Sequence, residues 1–107
     1  MHNETSKTFW CKIYIAGPIN EAKQIIRKEC LREGLCVNIT STDFIYTGGE
    51  EVGYVVELIN YPRFPKSEDE IYRRAIALSQ LLLEGTYQHS ILIMTPSLTQ
   101  WISKREQ

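Results

Sequence analysis

The chain has 107 residues, with 12 Lys and Arg against 13 Asp and Glu, and this length allows one domain around a single core. Hydrophobic residues at 43% exclude wholesale disorder, and a formal net charge of −1 argues against a dedicated nucleic-acid-binding protein. No apolar run reaches the roughly 20 residues that cross a bilayer, and the polar residues 1–7 lack the apolar region of a signal peptide. We therefore expect a cytoplasmic protein without nucleic-acid or membrane partners, with residues 1–8 as a flexible N-terminal segment and residues 9–107 as a single domain.

The first predicted elements are a strand and a helix. Apolar residues occupy every second position over residues 9–15, and this period of two predicts a strand that Gly17-Pro18 ends. Asn20 is a suitable helix N-cap, and the apolar positions after it have helical spacing. Gly34 suits the position just past a helix, where a left-handed residue ends it at little steric cost. We therefore predict a helix between Asn20 and Gly34.

Two further strands are predicted over residues 35–46 and 52–61, which are rich in β-branched and aromatic side chains. Gly48-Gly49 between them is a turn signal, and the short separation predicts an antiparallel hairpin. The two glutamates at positions 50–51 repel anions, so this turn is interpreted as a plain hairpin turn rather than a phosphate-binding loop. The run Pro62-Arg63-Phe64-Pro65 follows as a loop, because its prolines cannot continue a strand ladder.

The last part of the chain is predicted to hold a second helix, a strand and a helical tail. Ser67 and Glu70 form a capping box, in which each side chain bonds a free backbone N–H at the helix start. Gly85 ends this helix, residues 90–94 form a fourth strand, and residues 98–102 have the apolar spacing of a short C-terminal helix. The second helix presents one apolar stripe, at Ile71, Ala75, Leu78 and Leu82.

The predicted order is β-α-β-β-α-β with a short C-terminal helix. Two β-α-β halves around a central hairpin are typical of an α+β, ferredoxin-like sandwich, in which both helices cover one face of an antiparallel sheet. Trp10 and Tyr14 on the second face of the first strand suggest that this face is covered too. In a chain of this length the cover has to come from other subunits, so we expect an oligomer.

Five short segments resemble the CutA family of the PII-like superfamily. They are Cys36-Val37-Asn38-Ile39, Ile45-Tyr46 before the Gly-containing hairpin, Tyr87-Gln88, Ile91-Leu92-Ile93-Met94 and Leu98-Thr99-Gln100-Trp101-Ile102. The resemblance implies a non-enzymatic cytoplasmic homotrimer, linked to divalent-cation tolerance or small-ligand signalling. We therefore expect no catalytic residues and a ligand pocket between subunits, formed by Tyr46, Tyr87, Gln88 and Trp101.

The metal site that this resemblance implies is incompletely matched. The family's Cys at the end of the first strand is replaced near Ile15-Ala16, and its His before the last strand falls near Gly85-Thr86. His89 is the remaining candidate ligand, although a lone His beside a strand is more often a surface residue. A divalent metal such as copper is therefore the one cofactor considered, with its ligands otherwise unknown.

An alternative interpretation rests on Lys12-Ile13-Tyr14-Ile15-Ala16-Gly17-Pro18, which resembles the first strand and turn of nucleoside 2-deoxyribosyltransferases. That chemistry needs a carboxylate nucleophile, for which Glu68, Asp69 and Glu70 are the candidates. Helix capping explains the same carboxylates, and the central hairpin does not fit the parallel sheet of that family. An enzyme of this type remains the alternative to a binding protein.

Two other groups of residues have ordinary structural interpretations. A small basic cluster is interpreted as a solvated helix face rather than an anion site, and it comprises Arg63, Lys66, Arg73 and Arg74. The three cysteines are odd in number and lack the spacing of a metal pair, which favours buried, unreactive thiols at Cys11, Cys30 and Cys36.

Overall fold

The computed structural model describes residues 1–105 and contains seven regular elements. In chain order they are β1 (Trp10–Ala16), α1 (Ile19–Arg32), β2 (Val37–Tyr46), β3 (Gly49–Ile59), α2 (Glu68–Gly85), β4 (Ser90–Met94) and β5 (Thr99–Ser103). The strands form one antiparallel sheet in the order β2-β3-β1-β4-β5. This is the predicted α+β, ferredoxin-like arrangement with a fifth strand added. Neither helix in the described part of the chain is long and apolar enough to cross a membrane.

The predicted C-terminal helix is wrong, because Thr99–Ser103 forms strand β5. A turn stabilised by Thr95 reverses the chain before it. The Thr95 N–H donates to the Leu98 carbonyl at 2.7 Å, and the Thr95 hydroxyl accepts from the Leu98 N–H at 3.1 Å. β5 then pairs with β4, which places Trp101 opposite Leu92. The apolar spacing of this tail suits either a short helix or a strand, and pairing with β4 selects the strand.

The core lies between one face of the sheet and the two helices. Side chains along a strand point alternately to opposite faces, so every second residue of each central strand faces the helices. In β1 the buried residues are Cys11, Ile13 and Ile15, and in β3 they are Tyr54, Val56 and Leu58. The predicted apolar stripe of α2 is confirmed, since all four of its members are buried at Ile71, Ala75, Leu78 and Leu82.

The ends of α1 differ from the prediction. The N-cap is Pro18, which makes no side-chain capping bond, and Asn20 already lies inside the helix. Proline is tolerated there because the first N–H groups of a helix have no partner within the helix. At the other end the C-cap is Glu33 in an extended conformation, so Gly34 is not a left-handed cap.

The start of α2 confirms half of the predicted capping box. The Glu70 N–H donates to the Ser67 hydroxyl at 3.1 Å, as an N-cap requires. The Glu70 carboxylate lies 3.9 Å from the Lys66 amine and forms a half-buried ion pair there. The helix ends at Gly85 as predicted, and Thr86 is its C-cap.

The predicted β2–β3 hairpin is confirmed and is longer than the rest of the sheet, with strands of 10 and 11 residues. Tyr46 pairs with Gly49 across the turn, where Gly48 has a φ of 88° that favours glycine. Ile45 and Val52 lie on the helix-facing side of the strands but are 78% and 67% exposed. The tip of the hairpin therefore extends beyond the helices.

Candidate functional site

The face of the sheet opposite the helices carries a row of aromatic and apolar side chains. Strand register places Tyr14 opposite Val55 and Leu92, and Leu92 opposite Trp101. Residues directly opposite one another in antiparallel strands point to the same face. Because the neighbouring Ile13 is buried against the helices, this row points the other way.

A cavity of about 300 Å³ opens beside this row, and we call it the aromatic basin. Two small residues, Ala16 and Ser90, line it, and Gly53 pairs with Ala16 in the β1–β3 ladder. A Cβ at Gly53 would lie 2.4 Å from the Phe44 ring and 2.5 Å from the Ile15 carbonyl oxygen, so no larger residue fits. The larger side chains around the basin are Tyr14, Phe44, Glu51, Leu92 and Trp101.

Glu51 is the charged group of the aromatic basin. Its carboxylate accepts a hydrogen bond from the Tyr46 hydroxyl at 2.8 Å. This hydrogen bond raises the pKa of Tyr46, because an ionised phenol would lose the bond and repel the carboxylate. Tyr46 therefore stays a hydrogen-bond donor at neutral pH and orients one carboxylate oxygen of Glu51.

The β2–β3 hairpin that carries Glu51 is acidic. The β2–β3 hairpin contains Asp43, Glu50, Glu51 and Glu57 and has no Lys or Arg. The Glu57 carboxylate lies 3.8 Å from the Lys12 amine, whereas no cation among the described residues lies within ion-pair distance of Glu51. Both a carboxylate without an ionic partner and the faces of aromatic rings attract positive charge. The basin is therefore suited to a cationic ligand that has a planar or apolar part.

Two of the four residues predicted to bind a ligand meet at this basin. Trp101 lines it, and Tyr46 bonds its carboxylate. Tyr87 and Gln88 lie instead in the connection between α2 and β4, where Tyr87 has a φ of 57° and is 88% exposed. The Gln88 side chain packs closely against Gly17. Neither is among the described residues that line the basin, so their part in ligand binding stays a prediction.

Three residues of the basin were missed by sequence reasoning. From the sequence, Glu51 was interpreted as a charged residue of the hairpin turn and Tyr14 as a residue covered by another subunit. Phe44 was not distinguished from other aromatic strand residues. The available signal was strand register, because Phe44 pairs with Glu51 once the hairpin turn is fixed. The position of Tyr14 beside them depends on the pairing of β1 with β3, which no local pattern specifies.

The described residues do not form the metal site that was considered from the sequence. Within residues 1–105 no group of three or more His, Cys, Asp and Glu side chains is arranged to hold a metal ion. His89 lies just before β4, and its carbonyl accepts a hydrogen bond from the Lys104 N–H at 2.8 Å. The described residues therefore do not fit a copper site at His89.

Comparisons with known proteins give structural matches only. No family model and no curated protein matches the chain. A phage SAM lyase in the apo state is similar in structure, with a TM-score of 0.68 and 17% identity over 100% of this chain and 98% of that chain. A phage SAM lyase in complex with S-methyl-5'-thioadenosine has a TM-score of 0.68 and 15% identity over 99% and 98% of the two chains. At these identities the likeness shows a shared fold.

These structures correct the functional interpretation of the sequence. The prediction of a non-enzymatic CutA- or PII-type binding protein is wrong, because the two structures reported above, which share the fold along the whole chain, are of phage SAM lyase, an enzyme. The same finding counts against the prediction that the chain is not an enzyme. The nucleoside 2-deoxyribosyltransferase alternative is not supported either, since the sheet is antiparallel throughout and the similar enzymes are of another class. The homotrimer stays a prediction.

Proposed function

We propose that this protein is a SAM-cleaving lyase whose substrate binds in the aromatic basin. The likeness to phage SAM lyases over the whole chain supports the reaction class. The observation that carries the site is Glu51. Its carboxylate is oriented by Tyr46 and has no ionic partner among the described residues, and Glu51 lines the same cavity as Tyr14, Phe44 and Trp101.

The substrate has the charge that this site would attract. SAM is S-adenosylmethionine, a sulfonium whose positive sulfur joins an adenosyl group to a methionine chain. Formation of S-methyl-5'-thioadenosine breaks the bond between this sulfur and Cγ of the methionine chain. The electron pair of the bond returns to sulfur, which leaves as a neutral thioether. Cγ must then gain a new bond, or the neighbouring Cβ must lose a proton.

Attack by the substrate's own α-carboxylate satisfies this balance most simply. One carboxylate oxygen bonds to Cγ as the carbon–sulfur bond breaks, which gives a five-membered lactone and the thioether without any proton transfer. Removal of the Cβ proton would need a strong base, because no carbonyl is attached to Cβ. When the substrate is held in the reactive conformation, attack by its own carboxylate is much faster than attack by a separate carboxylate. Effective molarities of well-oriented intramolecular reactions reach about 10⁵–10⁸ M.

The basin residues then bind and fold the substrate. Glu51 attracts the sulfonium before the reaction, and this attraction weakens as the sulfur becomes neutral. Glu51 therefore contributes more to substrate binding than to the chemical step. An aromatic wall such as Trp101 can stack on the adenine, a contact worth about 1–3 kcal/mol per base. The apolar walls favour a step in which a carboxylate and a sulfonium neutralise each other.

The basin is open on one side, and a second subunit would close it. Its volume of about 300 Å³ lies at the lower limit of ligand pockets, which typically range over about 300–1,000 Å³. The homotrimer expected from the sequence is accordingly part of this proposal. Light scattering after size-exclusion chromatography should give the mass of three chains, whereas a clean monomer that is active would remove the trimer from the proposal.

A direct assay tests the reaction. The purified protein is incubated with SAM, and S-methyl-5'-thioadenosine is measured by chromatography. We expect Glu51→Gln to raise KM about tenfold, with a smaller change in kcat, because a hydrogen bond or ion pair to a charged group is worth roughly 1.5–3 kcal/mol. The matched control is Glu50→Gln, which removes the same charge from the neighbouring residue on the opposite face of the strand.

Three results would contradict the proposal. The folded wild-type chain releasing no thioether from SAM would exclude the reaction. Equal effects of Glu50→Gln and Glu51→Gln would exclude the basin as the site, although not the reaction. A loss of kcat with unchanged KM in Glu51→Gln would exclude a role of Glu51 in binding.

A further inference from the structure

A second cavity lies at the other end of β3, and we call it the basic cavity. Its volume is about 260 Å³, and it is enclosed by the α1–β2 connection, the end of β3, the loop before α2 and the first turns of α2. Leu58 lines it, seven residues along β3 from Glu51, which is roughly 24 Å at about 3.4 Å per residue. The basic cavity is therefore separate from the aromatic basin.

The walls of the basic cavity are mostly apolar and its rim is fixed by hydrogen bonds. Leu35, Leu58 and Ile71 form the interior wall. Asn60 fixes the loop at the rim, because its side-chain oxygen accepts from the Lys66 N–H at 3.0 Å and its backbone N–H donates to the Phe9 carbonyl at 2.9 Å. The same loop is closed by stacking of two rings at the rim, Tyr61 and Phe64, whose centroids are 6.1 Å apart. The cavity is thus formed before any ligand arrives.

Two cations of the basic cluster, Lys66 and Arg74, line this apolar cavity, so the interpretation of the cluster as a solvated helix face is wrong for these two, whereas Arg63 and Arg73 are exposed. The Arg74 side chain is only 11% exposed, and the Lys66 side chain is 28% exposed. Arg74 donates to the carbonyls of Glu33 and Gly34 at 2.8 and 3.1 Å, which leaves some of its five N–H groups free. These two bonds hold the guanidinium at the cavity.

The acidic neighbours of these cations lie outside the cavity. The Glu33 carboxylate is 3.8 Å from Arg74, and the Glu70 carboxylate is 3.9 Å from Lys66. Neither is among the described residues that line the cavity, and their side chains are 56% and 42% exposed. Both separations are longer than a hydrogen bond, so a ligand carboxylate that hydrogen-bonds the two cations directly would compete with these pairs.

We propose that the basic cavity binds a small apolar carboxylate, with the chain or ring of the ligand against Leu58 and Ile71 and its carboxylate on Arg74 and Lys66. Charge complementarity selects an anion, because the two charged residues that line the cavity, Arg74 and Lys66, are both cations and no carboxylate among residues 1–105 lines it with them. The apolar lining selects against free phosphate or sulfate, which would be desolvated without compensation. The volume, just below the usual range of about 300 Å³ upward, selects a short ligand.

Octanoate is the probe for this site, and octanamide is its neutral counterpart. By calorimetric titration we expect octanoate to bind and octanamide to bind at least about tenfold more weakly, since a bond to a charged group is worth roughly 1.5–3 kcal/mol. Arg74→Gln should weaken octanoate binding by about tenfold or more. Arg73→Gln is the matched control, because Arg73 is the exposed neighbour on α2 and does not line the cavity.

Two further measurements keep the proposal testable if Arg74→Gln fails to fold after losing its bonds to the α1–β2 connection. Lys66→Gln and Phe64→Ala alter the rim, and each should weaken octanoate binding several-fold with a smaller loss of thermal stability than Arg74→Gln. Cys36 also lines the cavity and is exposed, so octanoate should slow its alkylation by iodoacetamide.

Several results would overturn the proposal. The first is that the wild-type protein does not bind octanoate, and the second is that octanoate and octanamide bind equally well. The third is that Arg73→Gln and Arg74→Gln lose octanoate affinity to the same extent. A change in the mass of the assembly on Phe64→Ala, without a change in octanoate affinity, would assign the cavity to a contact between copies of the chain and would also refute it.

Discussion

The aromatic basin and the basic cavity lie at opposite ends of β3 and differ mainly in the sign of their charge. Their volumes are similar, about 300 and 260 Å³, and apolar side chains line both. Glu51, which has no ionic partner within residues 1–105, defines the first, and Arg74 with Lys66 defines the second. The net charge of −1 conceals this separation, because the β2–β3 hairpin has four acidic residues and no Lys or Arg. One small domain can thus offer separate sites to a cation and to an anion.

The largest contrast is expected in the reactivity of the three cysteines. Burial raises the pKa of Cys11 to about 11 from its ordinary value of 9.0, which lowers its thiolate fraction about a hundredfold. Burial also raises the pKa of Cys30. Cys36 is exposed at the basic cavity, so the prediction of a buried thiol is wrong for this residue. Iodoacetamide followed by mass spectrometry should modify Cys36 first, Cys30 next and Cys11 last.

This order tests whether the basic cavity is open to solvent. Cys36→Ser is the control, and it should abolish the fast modification without changing the slow ones. Modification of Cys11 as fast as that of Cys36 in the folded protein would contradict the burial of Cys11 and the placement of Cys36 at an open cavity.

A pair of glycine substitutions compares the packing at the two sites. Gly53→Ala should destabilise the protein by about 1–3 kcal/mol, because its Cβ would collide with backbone atoms of β1 and with the Phe44 ring. Gly34 lies at the basic cavity, has no atom within 4 Å of its Cβ position and has no positive φ. Gly34→Ala should therefore be neutral or stabilising by about 0.4–1 kcal/mol. Urea unfolding measures both, and equal effects would show that the basin is not closely packed at Gly53.

Two tryptophans on the open face should differ in their effect on ligand binding. Trp101 lines the aromatic basin, whereas Trp10 lies at the other end of β1 and packs against Lys12, with the amine 4.8 Å from the ring centroid. Trp101→Leu should weaken binding of S-methyl-5'-thioadenosine by about 1–3 kcal/mol through loss of stacking. Trp10→Leu should leave it unchanged in the same titration. An equal loss in both variants would mean that the ligand does not lie in the basin.

The smallest effect is expected in the pH dependence of the free energy of unfolding, through Glu29 on α1. Hydrogen bonds from the Arg32 guanidinium, at 2.7 and 2.8 Å, lower the pKa of Glu29 from its ordinary value of 4.5. The unfolded chain takes up this proton at a higher pH than the folded chain. The stabilisation is therefore complete above the unfolded pKa and is lost as the pH falls through the folded pKa.

Urea unfolding over the acidic range measures this loss. Glu29→Gln should unfold more easily than the wild type at neutral pH, and the difference should shrink as the pH falls below 4.5. Glu21→Gln, at an exposed position on the same helix, is the matched control for loss of a carboxylate. A difference that grows on acidification would reverse the sign and contradict the role of Arg32.

The sequence by itself determined the order of the elements and most of their bounds. Hydrophobic period, turn residues and capping residues act over a few positions, so they can be read locally. They predicted the hairpin, the Ser67 cap and the buried stripe of α2, all of which the structure confirms. Local signals were least decisive for residues 98–102, whose apolar spacing fits either a helix or a strand. Pairing with β4 makes this segment strand β5.

Only the tertiary structure decided where the two sites lie. Tyr14, Glu51 and Trp101 come from three distant parts of the chain and meet because their strands β1, β3 and β5, with β4 between β1 and β5, lie side by side in the sheet. Likewise, Arg74 looked solvated on its own helix, and it lines a cavity because α2 packs beside the end of β3 and the α1–β2 connection. Sequence period specifies which face of an element is apolar, whereas long-range packing specifies which charged groups that face encloses.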